Sequence, residues 1–254
     1  MAKIRGVIFD LDGVLHVRDR VVRGAPEAVA RVRRAGLALR CVTNTTRRPR
    51  RAILESLDRF GFDFAADELL TPAAAVCERL EEMGESPYLL IHPSLAEDFV
   101  AFGAEGSDAV VLGDAGEAFR YDSLNHAFRL LMEGAPLYAL AANRYFEDDD
   151  GLSLDVGGFV AALEYASGIK AELFGKPSAS FFQAALDGLG CRAEETVMIG
   201  DDVEADVNGA LSIGIGGVLV RTGKYRPEDD ARLARDGAIV KDVGEAVDRI
   251  LSGS

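Results

Sequence analysis

The sequence predicts an α/β protein in which a doubly wound parallel sheet carries a second, smaller α/β domain as an insertion. Three observations support this prediction. Short apolar runs bounded by turn residues alternate with segments of helical length along most of the chain. Several of these runs end abruptly at polar side chains. The alternation also starts afresh in the middle of the chain, which indicates a unit with its own core.

The first domain begins with an apolar run that stops at Asp10 and is followed by Asp12 and Gly13. A short run of this kind is typical of a strand that is buried on both faces. A helix is expected next, with Pro26 in its first turn and Gly36 at its end. The remaining elements of this stretch are a strand over 37–42 and helices near 50–60 and 72–83.

The inserted domain is expected over residues 85–170, and the core domain over residues 1–84 and 171–254. Within the insertion the pattern predicts strands over 88–91, 109–112 and 137–142, and helices over 95–102, 121–132 and 159–166. A long polar loop, residues 143–151, separates the last strand from the last helix. Polar and aromatic groups in so long a loop could reach a neighbouring active site, although its acidic run is also typical of a solvated loop.

The core alternation resumes after residue 170. We predict a strand over 171–174, a helix that starts at Pro177, and a strand over 196–200 that ends in acidic residues. Strands over 218–220 and 238–240 and a helix over 243–251 complete the layer.

Composition narrows the class of protein. The chain has 254 residues, of which 48% are hydrophobic and 28% charged, as in ordinary globular proteins. Its formal charge of −14 argues against nucleic acid and anionic membranes as partners. No apolar run approaches the roughly 18 residues of a membrane span, and the N-terminus lacks a signal-peptide pattern. We therefore expect a cytoplasmic protein.

Cysteine and histidine do not indicate a zinc site or disulfides. The three cysteines are widely spaced in mostly apolar surroundings, which favours reduced thiols. The three histidines, His16, His92 and His126, lack the spacing of metal ligands and are expected to be structural or exposed.

The polar side chains that follow four predicted strands indicate a catalytic or binding site. Because the ligand crevice of an open parallel sheet lies beyond the carboxyl ends of its strands, these residues are expected at one edge. Several carboxylates there would repel one another without a cation, and their oxygen ligands favour Mg²⁺. The residues are Asp10 and Asp12, Thr43 and Asn44, Lys176, and Asp201 with Asp202 and Asp206.

Each of these signals has a structural alternative when it is taken alone. Asp12 and Gly13 could form a simple turn, with Asp10 as a local cap. Thr43 and Asn44 could cap the following helix, a role that is compatible with binding a phosphate group. Lys176 could be an ordinary exposed lysine.

Taken together and in this order, these segments resemble the four motifs of the haloacid dehalogenase superfamily. The insertion resembles the C2A cap of its NagD-like branch, and the resemblance spans nearly the whole chain. It implies a Rossmann-like core, small phosphorylated compounds as substrates, and a homodimer formed through the cap. The matching segments are Asp10-Leu11-Asp12-Gly13-Val14-Leu15, Thr43-Asn44, Lys176, and Gly200-Asp201-Asp202 with Asp206.

The resemblance also implies a role for each residue. Asp10 would be the nucleophile that forms an aspartyl-phosphate, and Asp12 the general acid and base. Mg²⁺ would be held by the carboxylates of Asp10 and Asp201 and by the backbone carbonyl of Asp12. Thr43, Asn44, Lys176 and Gly13 would bind the phosphate. Asp202 and Asp206 would orient groups around the metal. In the cap loop, Asn143 and Arg144 would select the substrate.

Several alternatives stay open at this point. The substrate could be a phosphoramidate, such as phospholysine or phosphohistidine, or inorganic pyrophosphate. A carbon–halogen hydrolase needs neither a metal cluster nor an acid at Asp12. A receiver-like signalling module that keeps its phosphate gains nothing from a general base at that position. A weakly active protein with a binding cap is the last alternative, and the intact motifs argue against it.

Overall fold

The computed structural model describes residues 3–103, 105–148 and 151–253. The chain forms two compact units. The first unit consists of the chain up to Thr43, Ile53–Leu70 and the chain from Lys176 onward. The second consists of Asn44–Ala52 and Thr71–Gly175, and thus takes in two segments that precede residue 85. The domain boundaries expected from the sequence stay a prediction.

The strands of the described residues, in chain order, are β1 (Gly6–Asp10), β2 (His16–Val17), β3 (Arg20–Val21), β4 (Ala38–Val42), β5 (Leu69–Leu70), β6 (Pro87–Leu90), β7 (Ala109–Leu112), β8 (Leu137–Ala139), β9 (Tyr145–Asp148), β10 (Gly151–Leu154), β11 (Glu172–Leu173), β12 (Thr196–Gly200), β13 (Gly216–Val220) and β14 (Ala238–Val240). The α-helices are α1 (Ala25–Arg34), α2 (Arg50–Arg59), α3 (Pro72–Met83), α4 (Tyr121–Met132), α5 (Val156–Ser167), α6 (Ala179–Leu189), α7 (Gly209–Ser212) and α8 (Val243–Ser252).

The first unit is built on a six-stranded sheet in the order β14-β13-β12-β1-β4-β5. All of its neighbouring strands are parallel. Val218 and Val220 belong to the main core with residues of α1 and α8, whereas Leu219 between them packs with Val203 and Val207. Because side chains alternate across a strand, helical segments must cover both faces of the sheet. This is the doubly wound α/β arrangement that the sequence predicts.

The second unit has a smaller parallel sheet in the order β11-β8-β7-β6. Apolar residues of α4 and α5 pack with residues of this sheet in one core. Within that core the rings of Phe119 and Phe159 stack with their centroids 3.7 Å apart. The unit is therefore an α/β layer with a core of its own, as expected for the insertion.

Three local predictions were wrong. The helix expected over 95–102 is a 3₁₀ helix over Pro93–Phe99. The helix expected to start at Pro177 begins at Ala179, because the Ser178 hydroxyl caps it by accepting a hydrogen bond from Phe181 N at 3.2 Å. The segment 143–151, expected to be a loop, includes strand β9 and the first residue of β10, which pairs with β9 in antiparallel orientation. Two residues of that predicted loop, Asp149 and Asp150, lie outside the described residues.

None of the helices within residues 3–103, 105–148 and 151–253 has the combination of length and apolar character that a membrane span requires.

Candidate active site

Strand register brings the polar strand ends of the first unit together. β1 lies between β12 and β4, with Phe9 opposite Ile199 and Asp10 opposite Val42. Leu11 N donates to Val42 O at 3.2 Å, so the backbones stay paired just beyond the strand ends. The segments that follow the three strands therefore leave the sheet at the same edge.

Three carboxylates meet at this edge. Asp10, Asp201 and Asp206 are all buried, and one oxygen from each lies within 4.8 Å of the others. Asp10 ends β1, Asp201 follows β12, and Asp206 lies in the helical segment Val203–Asn208. Two separate parts of the chain thus supply one compact set of oxygen ligands.

Lys176 joins this cluster as its buried cation. Its Nζ donates a hydrogen bond to Asp10 Oδ1 and lies 2.6 Å from Asp206 Oδ1. Its side chain is only 4% exposed. An ammonium group between two buried carboxylates offsets part of their repulsion, and removing it would leave buried charge without compensation.

The environment shifts the pKa of these groups. Burial raises the pKa of Asp10 well above its usual value, and the charges of Asp206 and Asp201 raise it further against the effect of Lys176. Burial also raises the pKa of Asp201, to about 6. Burial lowers the pKa of Lys176, but the charges of Asp10 and Asp206 outweigh this effect, so its pKa lies above its usual value.

The donor set fits a hard divalent cation. Asp201 Oδ1 is buried and has no hydrogen-bond partner among the described residues, an arrangement that costs free energy unless another ligand satisfies the oxygen. A cation bound by carboxylate oxygens would also counter the like-charge repulsion that raises the pKa of Asp10. Of the three carboxylates, Asp10 and Asp201 could therefore hold a metal ion, whereas both oxygens of Asp206 already face Lys176 and Asp202 N.

Two glycines enclose the Asp201 carboxylate. A Cβ at Gly13 would lie 1.8 Å from Asp201 Oδ2, and a Cβ at Gly223 would lie 2.0 Å from the same atom. Both glycines have positive φ, 89° and 61°, which other residues rarely adopt. Lys224 N donates to Asp201 Oδ2 at 2.7 Å, and the Thr222 hydroxyl donates to Gly13 O. The loop after β13 thus holds Asp201 in place.

Asp202 and Asp206 organise the turn after β12. The Asp202 side chain accepts hydrogen bonds from the backbone N–H groups of Glu204 and Ala205, at 3.1 and 3.0 Å. Asp206 Oδ2 accepts from Asp202 N at 3.1 Å while its other oxygen faces Lys176. Asp206 therefore links the fold of this turn to the position of the buried lysine.

Asp12 lies at the exposed side of the site. Its side chain is 62% exposed, and its Oδ1 is 3.5 Å from Nδ1 of His16. The His16 side chain is only 8% exposed, and its Nδ1 is also 3.1 Å from Arg18 O. The His16 ring lies 5.3 Å from the ring of Phe60. A buried, packed histidine is thus the neighbour of Asp12, which is more exposed than Asp10, Asp201, Asp202 and Asp206.

Thr43 and Asn44, the second predicted motif, belong to different units. Thr43 is buried in the first unit, where its backbone N donates to Leu70 O at 3.3 Å. Asn44 belongs to the second unit, in which its Oδ1 would lie 3.1 Å from a Cβ at Gly175. Phosphate binding by these two residues stays a prediction.

In the second unit, Asn143 and Arg144 are exposed and their backbone is held by α5. Asn143 O accepts from Gly157 N at 2.9 Å, and Arg144 O accepts from Asp155 N at 3.2 Å. A Cβ at Gly157 would lie 2.4 Å from Asn143 O, so this close approach requires glycine. The start of the predicted substrate loop is therefore well anchored.

Sequence reasoning missed the contribution of two segments. His16 was expected to be structural or exposed, and no pattern in the sequence pairs it with Asp12. The segment Thr222–Lys224 follows the apolar run of β13, and the rule used for the other strand ends could have placed it at the same edge.

Two family profiles match the chain. Residues 7–105 match the profile described as haloacid dehalogenase-like hydrolase, and residues 173–246 match the HAD-hydrolase-like profile. The two matches cover β1 with its carboxylates and β12 with the acidic turn that follows it.

Two curated human proteins are similar over almost the whole chain. Phospholysine phosphohistidine inorganic pyrophosphate phosphatase is 43% identical over 259 residues, which cover 99% of this chain and 96% of that protein. Haloacid dehalogenase-like hydrolase domain-containing protein 2 is 46% identical over 230 residues, which cover 91% and 89%.

Two solved structures are similar in fold. The p-nitrophenyl phosphatase of Archaeoglobus fulgidus superposes with a TM-score of 0.87 at 26% identity, covering 97% of this chain and 99% of that one. The 4-nitrophenylphosphatase of Thermotoga maritima superposes with a TM-score of 0.85 at 28% identity, covering 98% of each. With this similarity to its relatives, the chain belongs to the haloacid dehalogenase-like hydrolase family and is a phosphatase of that family.

Proposed function

We propose that the protein is a Mg²⁺-dependent phosphatase of small phosphorylated compounds that works through an aspartyl-phosphate on Asp10. The observation that carries this proposal is the buried cluster of Asp10, Asp201 and Asp206 around Lys176 at one sheet edge. Asp10, Asp201 and the backbone carbonyl of Asp12 would hold Mg²⁺. Bound there, the ion would neutralise charge on the phosphoryl group and on the carboxylates.

In the first step an oxygen of the Asp10 carboxylate attacks phosphorus, and the bond from phosphorus to the leaving oxygen breaks. Asp12 gives its proton to that oxygen. In the second step Asp12, now ionised, takes a proton from water, the water oxygen attacks phosphorus, and the bond from phosphorus to the Asp10 oxygen breaks. The products are inorganic phosphate and a restored Asp10 carboxylate, with Asp12 protonated again.

The remaining site residues would bind the transferred group. Lys176, the Thr43 hydroxyl, the Asn44 amide and the backbone N–H groups up to Gly13 supply donors for the three equatorial oxygens, where negative charge collects. Asp202 and Asp206 would act indirectly by orienting Lys176 and the turn that carries Asp201.

Metal removal tests this proposal directly. Dialysis against EDTA is expected to lower the rate of p-nitrophenyl phosphate hydrolysis by roughly 10³-fold or more, because uncompensated carboxylates then repel the phosphate. Added Mg²⁺ should restore the rate, and Ca²⁺, which prefers a larger and looser coordination shell, should restore much less. Full activity in excess EDTA would contradict the proposal.

The raised pKa of Asp201 gives metal binding a pH dependence. Protons and the ion compete for this carboxylate and for Asp10, whose pKa is also raised, so Mg²⁺ affinity is expected to fall by at least about tenfold per pH unit below about 6. Titration calorimetry at pH 5 and pH 7 measures this difference.

When no metal is bound, Asp201 makes stability fall as the pH rises, whereas Mg²⁺ affinity rises with pH. Its raised pKa contributes stability that is complete below the unfolded value of 3.8 and is lost as the pH rises through about 6. Denaturation of the wild type and of Asp201→Asn in EDTA isolates this contribution. A stability difference that does not change across this range would contradict the assignment.

The name of one relative favours a second substrate class. A relative that is 43% identical over 99% of this chain is named for phospholysine, phosphohistidine and inorganic pyrophosphate. We therefore keep phosphoramidates and pyrophosphate beside phosphate monoesters as candidate substrates. A parallel screen of these three classes at equal Mg²⁺ would rank them by kcat/KM.

We propose that Asn143 and Arg144 select the substrate. Both are exposed on a backbone that α5 holds in place, so their side chains can be changed without disturbing a core. Arg144→Ala is expected to change the ranking of phosphate esters more than the rate on p-nitrophenyl phosphate. Arg129→Ala, at an exposed site of the same unit, is the control. Equal losses on all substrates would count against this role.

We also propose a homodimer formed through the second unit. Leu152 and Leu154 of the β9–β10 pair are 73% and 61% exposed, and Tyr145 opposite Leu154 is 58% exposed. Exposed apolar side chains on one hairpin are typical of a protein interface. Sedimentation velocity should give a dimer for the wild type and a monomer for Leu152→Glu/Leu154→Glu. A monomeric wild type would contradict the proposed dimer.

The cytoplasmic location stays a prediction.

A further inference from the structure

A pocket of about 310 Å³ opens beside Asp201 in the first unit. It shares Asp201 with the carboxylate cluster, but its other walls come from the segment after β13 and the turn after β12. Three basic side chains line it: Lys224, Arg226 and Arg232. Four carboxylates, Asp201, Asp202, Glu228 and Asp229, line the same pocket, so the three cations matter for an anion only where those carboxylates are already engaged by other groups.

Two of these cations are available for a ligand. The Lys224 side chain is 70% exposed, and its nearest ion-pair contact is a long one, 3.8 Å to Asp202 Oδ2. No carboxylate of the described residues forms an ion pair with the Arg226 guanidinium. Arg232, by contrast, is engaged with Asp229 at 3.0 Å and with Glu204 at 3.2 Å.

The acidic residues in the pocket wall are largely satisfied by other groups. Asp229 is 9% exposed, accepts a hydrogen bond from Arg226 N at 2.9 Å and pairs with Arg232. Asp202 caps the following helical segment through two backbone N–H groups. Asp201 accepts from Lys224 N and is a proposed metal ligand. The charged side chains of the wall that could contact a ligand are therefore those of Lys224, Arg226 and Glu228.

We infer that Lys224 and Arg226 bind a second anionic group of the substrate, carried by the leaving group. This inference rests on the proposed function, because Asp10 and the metal would hold the transferred phosphoryl group while the pocket beside Asp201 receives the leaving side. The favoured substrates are therefore phosphoryl donors whose leaving group has its own phosphoryl or carboxylate charge. The guanidinium of Arg226 suits either group, since it can donate two parallel hydrogen bonds.

Charge-neutralising variants test the assignment through substrate selectivity. The measured quantity is the ratio of kcat/KM for pyrophosphate to kcat/KM for phenyl phosphate. Arg226→Gln and Lys224→Gln are each expected to lower this ratio by roughly ten- to hundredfold, the usual effect of losing a hydrogen bond to a charged group. Both rates come from the same preparation, so the ratio does not depend on the fraction of folded protein.

A second pair of probes separates the two kinds of anion. 3-Carboxyphenyl phosphate and phenyl phosphate differ only in one carboxylate. If the pocket accepts carboxylates, the preference for the first compound should also fall in Arg226→Gln. If it accepts only phosphoryl groups, this preference stays constant while the pyrophosphate ratio falls. Either result supports the pocket as the anion site and names its ligand.

Two control variants sharpen the test. Arg221→Gln removes the same charge nearby, but Arg221 pairs with Asp230 at 3.2 Å and does not line the pocket, so the ratio should stay within about threefold. Glu228→Gln removes a negative charge from the pocket and should raise the ratio.

The outcomes distinguish this inference from the proposed function. If the wild type hydrolyses phenyl phosphate but neither variant changes the pyrophosphate ratio, the inference alone is overturned. Equal losses on both substrates also overturn it, since they would mean that the residues only support Asp201. If the wild type with Mg²⁺ hydrolyses no phosphate ester, the proposed function itself fails.

Discussion

Asp10→Asn is expected to lower kcat for p-nitrophenyl phosphate by roughly 10⁴- to 10⁶-fold, because an amide cannot supply the attacking carboxylate oxygen. The fold should survive, since the amide has almost the same shape and relieves repulsion with Asp206 and Asp201. Steady-state kinetics and circular dichroism on the same preparation measure the two effects. A variant that keeps a substantial fraction of the wild-type rate would exclude Asp10 as the nucleophile.

Asp12→Asn supplies the matched comparison for the aspartyl-phosphate. Its carboxylate is 62% exposed and lies outside the buried cluster, so the change should leave the fold intact. With p-nitrophenyl phosphate, whose leaving group departs readily without a general acid, the first step should still proceed. The second step lacks its general base and slows, so a phosphoryl adduct on Asp10 should accumulate and be detected by intact mass spectrometry after acid quench. If the wild type itself retains the adduct, the receiver-like alternative gains support instead.

Lys176→Met is expected to have the second-largest effect, on stability as well as on activity. It leaves Asp10 and Asp206 buried without their cation, which typically costs about 3–5 kcal/mol in the free energy of unfolding. Loss of a charged phosphate donor should also lower kcat by roughly 10²- to 10³-fold. Urea denaturation in EDTA and in Mg²⁺ measures the first effect, and Mg²⁺ should recover part of the lost stability.

Lys170→Met is the control for this variant. Lys170 also pairs with a carboxylate, Glu164 at 3.2 Å, but its side chain is 84% exposed. Exposed pairs contribute about 0–1 kcal/mol, so the change in stability should be small. If Lys176→Met is no more destabilised than Lys170→Met, the buried charge cluster does not have the energetic role assigned to it.

The fold and the central residues of the site were predictable because both depend on repeated local patterns. Apolar runs that end in polar residues identified β1 and β12, and the parallel topology required their ends to share one edge. The same reasoning places Asp10, Lys176 and Asp201 together from the sequence alone. Asp206 was also expected, from its position about one turn into the next helix.

The parts that sequence could not supply depend on contacts between distant residues. The glycine at position 223 is required by its approach to Gly13 and Asp201, and no local pattern indicates that approach. The contact of His16 with Asp12 is an exception, because it is local and depends on the turn over residues 13–15, in which Gly13 N donates to His16 O at 2.6 Å. The hairpin β9–β10 was missed because acidic residues in the segment indicated a solvated loop.

The pairing of β1 with β12 has a consequence for protein synthesis. Gly6 lies opposite Thr196, so the strand that ends in Asp10 leaves the ribosome long before one of its two neighbours has been translated. Until then one edge of this apolar strand is unpaired and open to aggregation or to chaperones. The carboxylate cluster of Asp10, Asp201 and Asp206 likewise cannot assemble until residues 201 and 206 have emerged. Shortened chains that stop before β12 would therefore contain Asp10, the proposed nucleophile, without the other carboxylates of its cluster, so activity is expected to arise only late in translation.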